Sequence, residues 1–265
     1  MINLATILTL TTDFGIKDGN VGAMKGVIWS IVPGAHIADL SHMISPQNIP
    51  EAGLVLSRAV PYFPAGTVHV VVVDPGVGTA RRPMAARLGE QFFVGPDNGV
   101  ITRYLAWANQ QTMKVEFVHL DRPEFWCYPV SHVFHGRDIF APCAAHLARG
   151  LSLHQLGSAM DDPVLLTLPE PMRTERGWRG EVMHIDHFGN IHTNLSRSSI
   201  GEPSGVTIRL CGVNLIGLQR TFGERSSGEL VALYGSNDDL IVSVVNGNAA
   251  QRLGAKPGDC VDMLF

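Results

Sequence analysis

The chain has 265 residues, of which 45% are hydrophobic and 17% charged, so a mainly disordered polymer is excluded and one large or two smaller domains can bury real cores. A net charge of −4, from 20 basic and 24 acidic residues, leaves no basic footprint for nucleic acid. Four cysteines without a CxxC pair (Cys127, Cys143, Cys211, Cys260) predict reduced, partly buried thiols rather than a disulfide scaffold or a Cys-rich zinc site. Residues 1–10 lack a cationic segment followed by a long apolar run, and no apolar stretch reaches transmembrane length. A soluble cytoplasmic protein with no membrane or nucleic-acid partner is expected.

Residues 7–11 are a short β-rich run ending in Thr12-Asp13-Phe14-Gly15. Residues 22–32 carry helical apolar spacing (Met24, Val27, Ile28, Ile31) and stop before Pro33-Gly34. A second strand is expected over 35–39 and a second helix over 51–60, closed by Pro61 and Pro64. The β-branched run 67–73 reads as a strand buried on both faces, as in a parallel sheet between helix layers, and it ends at Asp74-Pro75-Gly76-Val77-Gly78. Another strand, 91–94, is closed by Gly95-Pro96-Asp97-Asn98-Gly99. Residues 139–149 look helical, with small side chains that permit close packing. This alternation predicts an α/β N-terminal domain over 1–164 with a mostly parallel central sheet. Pro163, Pro169, Pro171 and the charged stretch 173–179 point to a linker over 165–178. Short strand candidates at 180–186, 205–210, 229–234 and 240–245, with almost no helix signal, predict a small all-β barrel domain over 179–265.

Ligands of open α/β sheets bind beyond the carboxyl ends of the strands. Three predicted strands end there in an aspartate within a glycine-rich turn: Asp13, Asp74 and Asp97. Carboxylates at one edge suit gripping ribose hydroxyls or holding a water or metal. Phe134-His135-Gly136-Arg137-Asp138 sets three ionisable residues before a helix. Its bland reading is a helix start with Asp138 facing the first-turn amides; its functional reading makes His135 a proton-transfer group. Residues 184–192 hold three histidines, with His184 and Asp186 on one face if the segment is a strand, but neither HExxH nor a closed ligand spacing is present. The P-loop, the GxSxG elbow and the third glycine of a dinucleotide fingerprint are all missing.

Five segments, in register along nearly the whole chain, together resemble the S-adenosyl-L-methionine (SAM) hydroxide adenosyltransferases, relatives of the fluorinases and chlorinases. They are Leu10-Thr11-Thr12-Asp13-Phe14-Gly15, Val73-Asp74-Pro75-Gly76-Val77-Gly78-Thr79-Ala80-Arg81, Gly95-Pro96-Asp97-Asn98-Gly99, Phe134-His135-Gly136-Arg137-Asp138 and Ile185-Asp186-His187-Phe188-Gly189-Asn190. The resemblance implies an α/β domain followed by a β-barrel domain, and a homotrimer with SAM between the N-terminal domain of one subunit and the C-terminal domain of a neighbour. It implies conversion of SAM and water to adenosine and L-methionine with neither metal nor redox cofactor. The family's catalytic Asp, Arg and His fall on Asp74, Arg81 and His135, and its ribose carboxylate on Asp13. Asp186, Phe188 and Asn190 match its methionine-and-adenosine segment, and Ser236, Val244, Asn246 and Gly247 lie in its adenine-contact region.

Ile241 departs from the glutamate that many relatives carry in that region. The halogenases have tyrosines where Asp74 and His135 stand and serine where Gly136 stands, and an anionic Asp74 would repel a halide. On the resemblance, the expected reaction is in-line attack at ribose C5′ by a water or hydroxide held by Asp74, Arg81 and His135. The member that takes the proton is open at this level. Two rivals stand beside it: a SAM- or adenosine-binding module without turnover, and a metal-dependent hydrolase using Asp13, Asp74 and the histidines of 184–192.

Overall fold

The computed structural model describes residues 6–265, which divide into two compact units, 6–166 and Thr167–Phe265. The leader-free reading of residues 1–10 falls partly on 1–5, outside the described residues.

The first unit runs β1 (Ile7–Thr12), α1 (Asn20–Ile31), β2 (His36–Ser41), α2 (Ile49–Ala59), β3 (Val68–Val72), β4 (Pro83–Leu88), β5 (Gln91–Pro96), α3 (Thr102–Gln110), β6 (Val115–His119), α4 (Ala141–Ala148) and β7 (Ser158–Met160). Its single sheet has the order β2-β1-β3-β5-β4-β6-β7. The first three neighbouring pairs are parallel and the last three antiparallel, so the expected mostly parallel sheet is in fact mixed. The physical reason is a two-residue hairpin. Leu88 pairs with Gln91 across Gly89-Glu90, and Gly89 supplies the positive φ of 60° that such a turn needs. β4 therefore returns antiparallel, and β6 and β7 build outward on it.

Strand β3 shows why the valine run is continuous. Val68, Val70 and Val72 face a core packed by α1 and α4, while Val71, and Val73 just beyond the strand, face a second core with Leu56 of α2 and Tyr104 of α3. With helices on both faces, neither face can be polar. Ala141, Ala144 and Ala145 let α4 lie close to the sheet, all at 4% exposure or less. Helix α2 starts at Asn48, whose side chain accepts the Glu51 N–H at 3.1 Å.

The polar exception in β3 is His69, fully buried, with Nδ1 2.9 Å from Thr9 Oγ1 and its ring edge-on to Phe63 and Tyr104. Burial lowers its pKa from the ordinary 6.5 to about 4. The unfolded chain therefore binds this proton first, so the contribution is complete above pH 6.5 and is lost as pH falls towards 4. At 1.36 kcal/mol per unit, the loss is about 3 kcal/mol. Urea titrations at pH 7, 5 and 4 should show that decline, and His69→Gln should flatten it. An equally steep decline in the variant would assign the acid sensitivity to other groups.

The second unit contains β8 (Met172–Thr174), β9 (Gly177–Ile185), β10 (Ile191–Ser196), the short helix α5 (Arg197–Ile200), β11 (Thr207–Leu210), β12 (Val213–Ile216), β13 (Leu230–Tyr234), β14 (Asp239–Val244), the short helix α6 (Ala249–Leu253) and β15 (Cys260–Leu264). All strand pairs are antiparallel, in the order β12-β11-β15-β9-β10-β14-β13, with β8 added on β9. Gln219, just past β12, bridges Leu233 of β13 and donates its N–H to Ala232 O at 2.9 Å, so the two edge strands meet and the sheet nearly closes. Inward residues such as Val182, Ile191, Ile208, Val242 and Met263 fill the barrel. Within 165–178, read from the sequence as a linker, Met172–Thr174 pairs with 177–179 as a hairpin. Among the described residues the cysteines form no disulfide; Cys143 is buried and Cys127 half-buried, but Cys211 and Cys260 are exposed, beyond the partial burial expected. No described helix is long and apolar enough to cross a membrane.

Candidate functional site

Strands β1 and β3 are parallel neighbours with Thr12 in register with Val72, so the residues that leave their carboxyl ends, Asp13 and Asp74, emerge side by side. Asp97 leaves β5 at the same edge but is drawn into structure. It is 3% exposed, and its carboxylate accepts from Arg82 Nε at 2.9 Å and from the Val164 N–H at 2.7 Å.

After Asp74 the chain makes a tight return: Val77 N–H donates to Asp74 O and Thr79 N–H to Gly76 O, both at 3.2 Å. The return brings Arg81 back beneath Asp74. Arg81 Nε donates to Asp74 Oδ1 at 3.0 Å and Nη2 donates to Oδ2, a bidentate fork with both side chains at least nine-tenths buried. Gly78 holds a φ of 75°, and a Cβ there would lie 2.3 Å from His132 O. Only glycine lets this loop approach the segment that carries His135.

His135 leads into a π-helical turn, Gly136–Phe140, that continues into α4. Gly136 is pressed on the end of β3, where a Cβ would stand 3.1 Å from Val72 Cγ1. Arg81 Nη2 lies 3.1 Å from His135 Nδ1. Guanidinium nitrogen can only donate, so Nδ1 is the acceptor and the neutral ring carries its proton on Nε2. Burial, and next the Arg81 charge, hold the His135 pKa below its ordinary value. The bland reading of Asp138 is corrected. Its carboxylate takes the Ser131 N–H at 2.8 Å and the Arg137 guanidinium, not the first-turn amides of its own helix.

Asp13, Asp74 and His135 line one cavity of about 260 Å³, together with Phe14, Gln47 and Phe134 among others. Arg81 is not in its wall; it stands behind and fixes Asp74 and His135. Gln47, which sequence reasoning missed, donates its N–H to Asp13 Oδ2 at 2.8 Å from a left-handed conformation, φ 64°. Glutamine carries no turn signal, so nothing in the sequence marked it. Phe14 and Phe134 meet edge to face with ring centroids 5.7 Å apart. They could have been found from the motifs that contain them.

In the second unit all the predicted residues but Ser236 group around one turn. β9 ends at Ile185, so Asp186 opens the turn instead of sharing a strand face with His184. Asp186 Oδ1 accepts the N–H groups of Phe188 (2.9 Å) and Asn190 (2.8 Å), and Oδ2 accepts Asn190 Nδ2 at 2.8 Å. Burial pushes this carboxyl up, but the hydrogen bonds from Asn190 and His192 outweigh it and leave the pKa lowered. The turn holds Phe188 out at 73% exposure. Gly189, φ 83°, packs against Asn248, and its carbonyl accepts Ala250 N–H, which sets the turn beside Val244, Asn246 and Gly247 at the end of β14. Ser236 lies in the turn before β14, at that strand's other end, about 16 Å away by strand rise. Ile241 is buried in a small cluster with Val231 and Leu233. Among the described residues no group of three or more His, Cys, Asp or Glu could hold a metal ion.

Comparison with known proteins matches residues 8–157 to the SAM hydroxide adenosyltransferase N-terminal domain and residues 180–262 to the C-terminal domain of the same family. A protein from Salinispora tropica named (R)-S-adenosyl-L-methionine hydrolase is 40% identical over 255 residues, 95% of each chain. One of the same name from Thermus thermophilus is 41% identical over 259 residues, 96% of this chain and 97% of that one. Fluorinases match at 26% to 28% identity. The crystal structure of a conserved protein from Thermotoga maritima superposes with a TM-score of 0.89 at 36% identity, covering 98% of this chain and 100% of that one.

Proposed function

This chain belongs to the SAM hydroxide adenosyltransferase family, and from that membership and the geometry of the cavity we propose that it hydrolyses SAM to adenosine and L-methionine by direct attack of water on ribose C5′. The observation that carries the reading is the Asp74–Arg81–His135 constellation, with Asp74 and His135 in the wall of the Asp13 cavity and Arg81 joining them from behind. Asp13 suits a ribose hydroxyl, because its carboxylate sits at the strand edge and is oriented by Gln47 N–H.

The lone-pair count assigns the roles. Both Asp74 oxygens are tethered by Arg81, yet each keeps a further lone pair that can accept from a water. The Nε2–H of His135 can donate to that water's oxygen. The remaining lone pair of the water is then aimed at C5′, in line with the departing sulfur. As the C–O bond forms and the C–S bond breaks, methionine leaves as a neutral thioether. The attacking oxygen gains positive charge and becomes acidic, so even a carboxylate held by Arg81 can take its proton. One proton per turnover then passes to solvent. In this scheme Asp74 is the base, His135 the orienting donor and Arg81 the group that fixes both.

The same anionic wall disfavours halide, in keeping with the lower identity to fluorinases. The chain supplies the chemistry without a metal or redox cofactor in this reading, and it acts in the cytoplasm. Single-turnover reaction in ¹⁸O-water with chelator present should place the label at the adenosine 5′-hydroxyl, with inversion at a chirally deuterated C5′. Label in Asp74 or retention would sink direct water attack, and no turnover without metal would sink the metal-free reading.

A cavity of about 260 Å³ falls below the roughly 300–1,000 Å³ of small-molecule sites, which supports a substrate held by more than this wall. The further walls proposed are the 186–190 turn and residues Ser236, Val244, Asn246 and Gly247 of a neighbouring subunit in a homotrimer. Mixing Asp74→Ala with Asn190→Ala chains should restore some turnover, because some interfaces then pair two intact halves. Verified exchange without recovery would count against a shared site.

A further inference from the structure

We propose that Asp138, acting with Arg137, is the positioning residue that holds His135 in register with Arg81 and sets the aromatic wall of the cavity. The inference rests on the reading of the site given above and goes beyond it, since neither side chain is among the residues assigned to water or substrate. Asp138 is 1% exposed, three residues past His135. It ties the segment before it at three points. Oδ2 accepts the Ser131 N–H at 2.8 Å, its carbonyl accepts the Cys127 N–H at 2.8 Å, and its own N–H donates to Phe134 O at 3.1 Å. The residues between these anchors, Val133 and Phe134, line the cavity, and His135 follows them directly.

The carboxylate's other partner is Arg137, with Nε to Oδ1 at 2.6 Å and Nη2 to Oδ2 at 2.9 Å. That fork keeps the guanidinium 5.0 Å over the Phe134 ring, whose edge-to-face partner is Phe14. One buried residue thus holds the backbone that presents His135, its carboxylate at Ser131 and its main chain at Cys127 and Phe134, and through Arg137 it holds the ring beside it. A charged fork between adjacent residues on a surface helix would contribute little. Here its value lies in the fixed loop, because a misplacement of about 1 Å at a reacting group can cost about 10²-fold in rate.

The test compares Asp138→Asn and Arg137→Met in wild-type and His135→Ala backgrounds, with ¹⁵N-histidine NMR of each folded variant. Asp138→Asn should lower kcat about 10-fold or more with KM within about 3-fold. In the His135→Ala background it should change kcat less than about 2-fold, because its effect runs through the missing ring. The NMR signals of His135 should move from a single Nε2–H tautomer towards an average of the two. Equal losses in both backgrounds, or an unchanged His135 tautomer, would overturn the proposal. Should Asp138→Asn fail to fold, Arg137→Met carries the same comparisons, at a side chain 39% exposed. The NMR arm needs no turnover, so an inactive wild-type protein would overturn the reaction and leave the positioning role to be decided on its own.

Discussion

Asp74→Asn should lower kcat on SAM by about 10³-fold while KM moves less than about 3-fold. The asymmetry follows from the partner of this side chain, which is the attacking water, so the interaction is made fully only as the C–O bond forms. General-base help alone is typically about 10²–10⁴-fold, and loss of the water's orientation adds to it. The variant also leaves Arg81, 7% exposed, with a neutral partner in a buried site. Removing one charge of such a pair costs about 3–5 kcal/mol, so the melting temperature should fall as well, and the assay belongs well below it. Asp13→Ala should show the opposite split, a raised KM with kcat less affected. A change in KM alone for Asp74→Asn would move this residue from the chemistry to the binding of the ribose.

His135→Ala should cost about 10²-fold in kcat, and His135→Gln should recover a measurable part of it. A glutamine amide can donate to the water but cannot act as a base, so recovery separates the two roles. If His135 accepted the proton, glutamine and alanine would be equally poor. The pH profile gives a second reading. Burial and Arg81 lower the His135 pKa, and only the neutral ring can accept from Arg81 at Nδ1. The kcat/KM value should therefore stay level as pH falls through 6.5 and decline only below it, as the ring gains a proton and repels Arg81. A decline centred at or above 6.5 would contradict the neutral-ring assignment.

The sequence by itself determined the α/β character of the first unit, the β-rich second unit and the positions of the motifs. The β-branched run 67–73 reads as a strand covered on both faces, and the glycines after Asp74 as a turn where backbone can approach closely. The direction of half the N-terminal sheet was not legible. Pro83–Leu88 holds two alanines, a proline and an arginine, so its local preference for a strand is weak. It becomes one because β5 and β6 pair with it from both sides.

At the site, the types Asp74, Arg81 and His135 were readable, but their order in space was not. The turn that tucks Arg81 behind Asp74 depends on Gly78 passing His132 O, a contact across 54 residues of chain. The same holds for Asp97, which stood in the sequence as an equal of Asp13 and Asp74. Only tertiary packing brings Arg82 and Val164 to it and removes it from the cavity edge. Residue type and local spacing report which groups are available and which turns the backbone must make. Which atom of a carboxylate or imidazole is left for a ligand depends on the partners that fold onto its other atoms, and those come from distant segments.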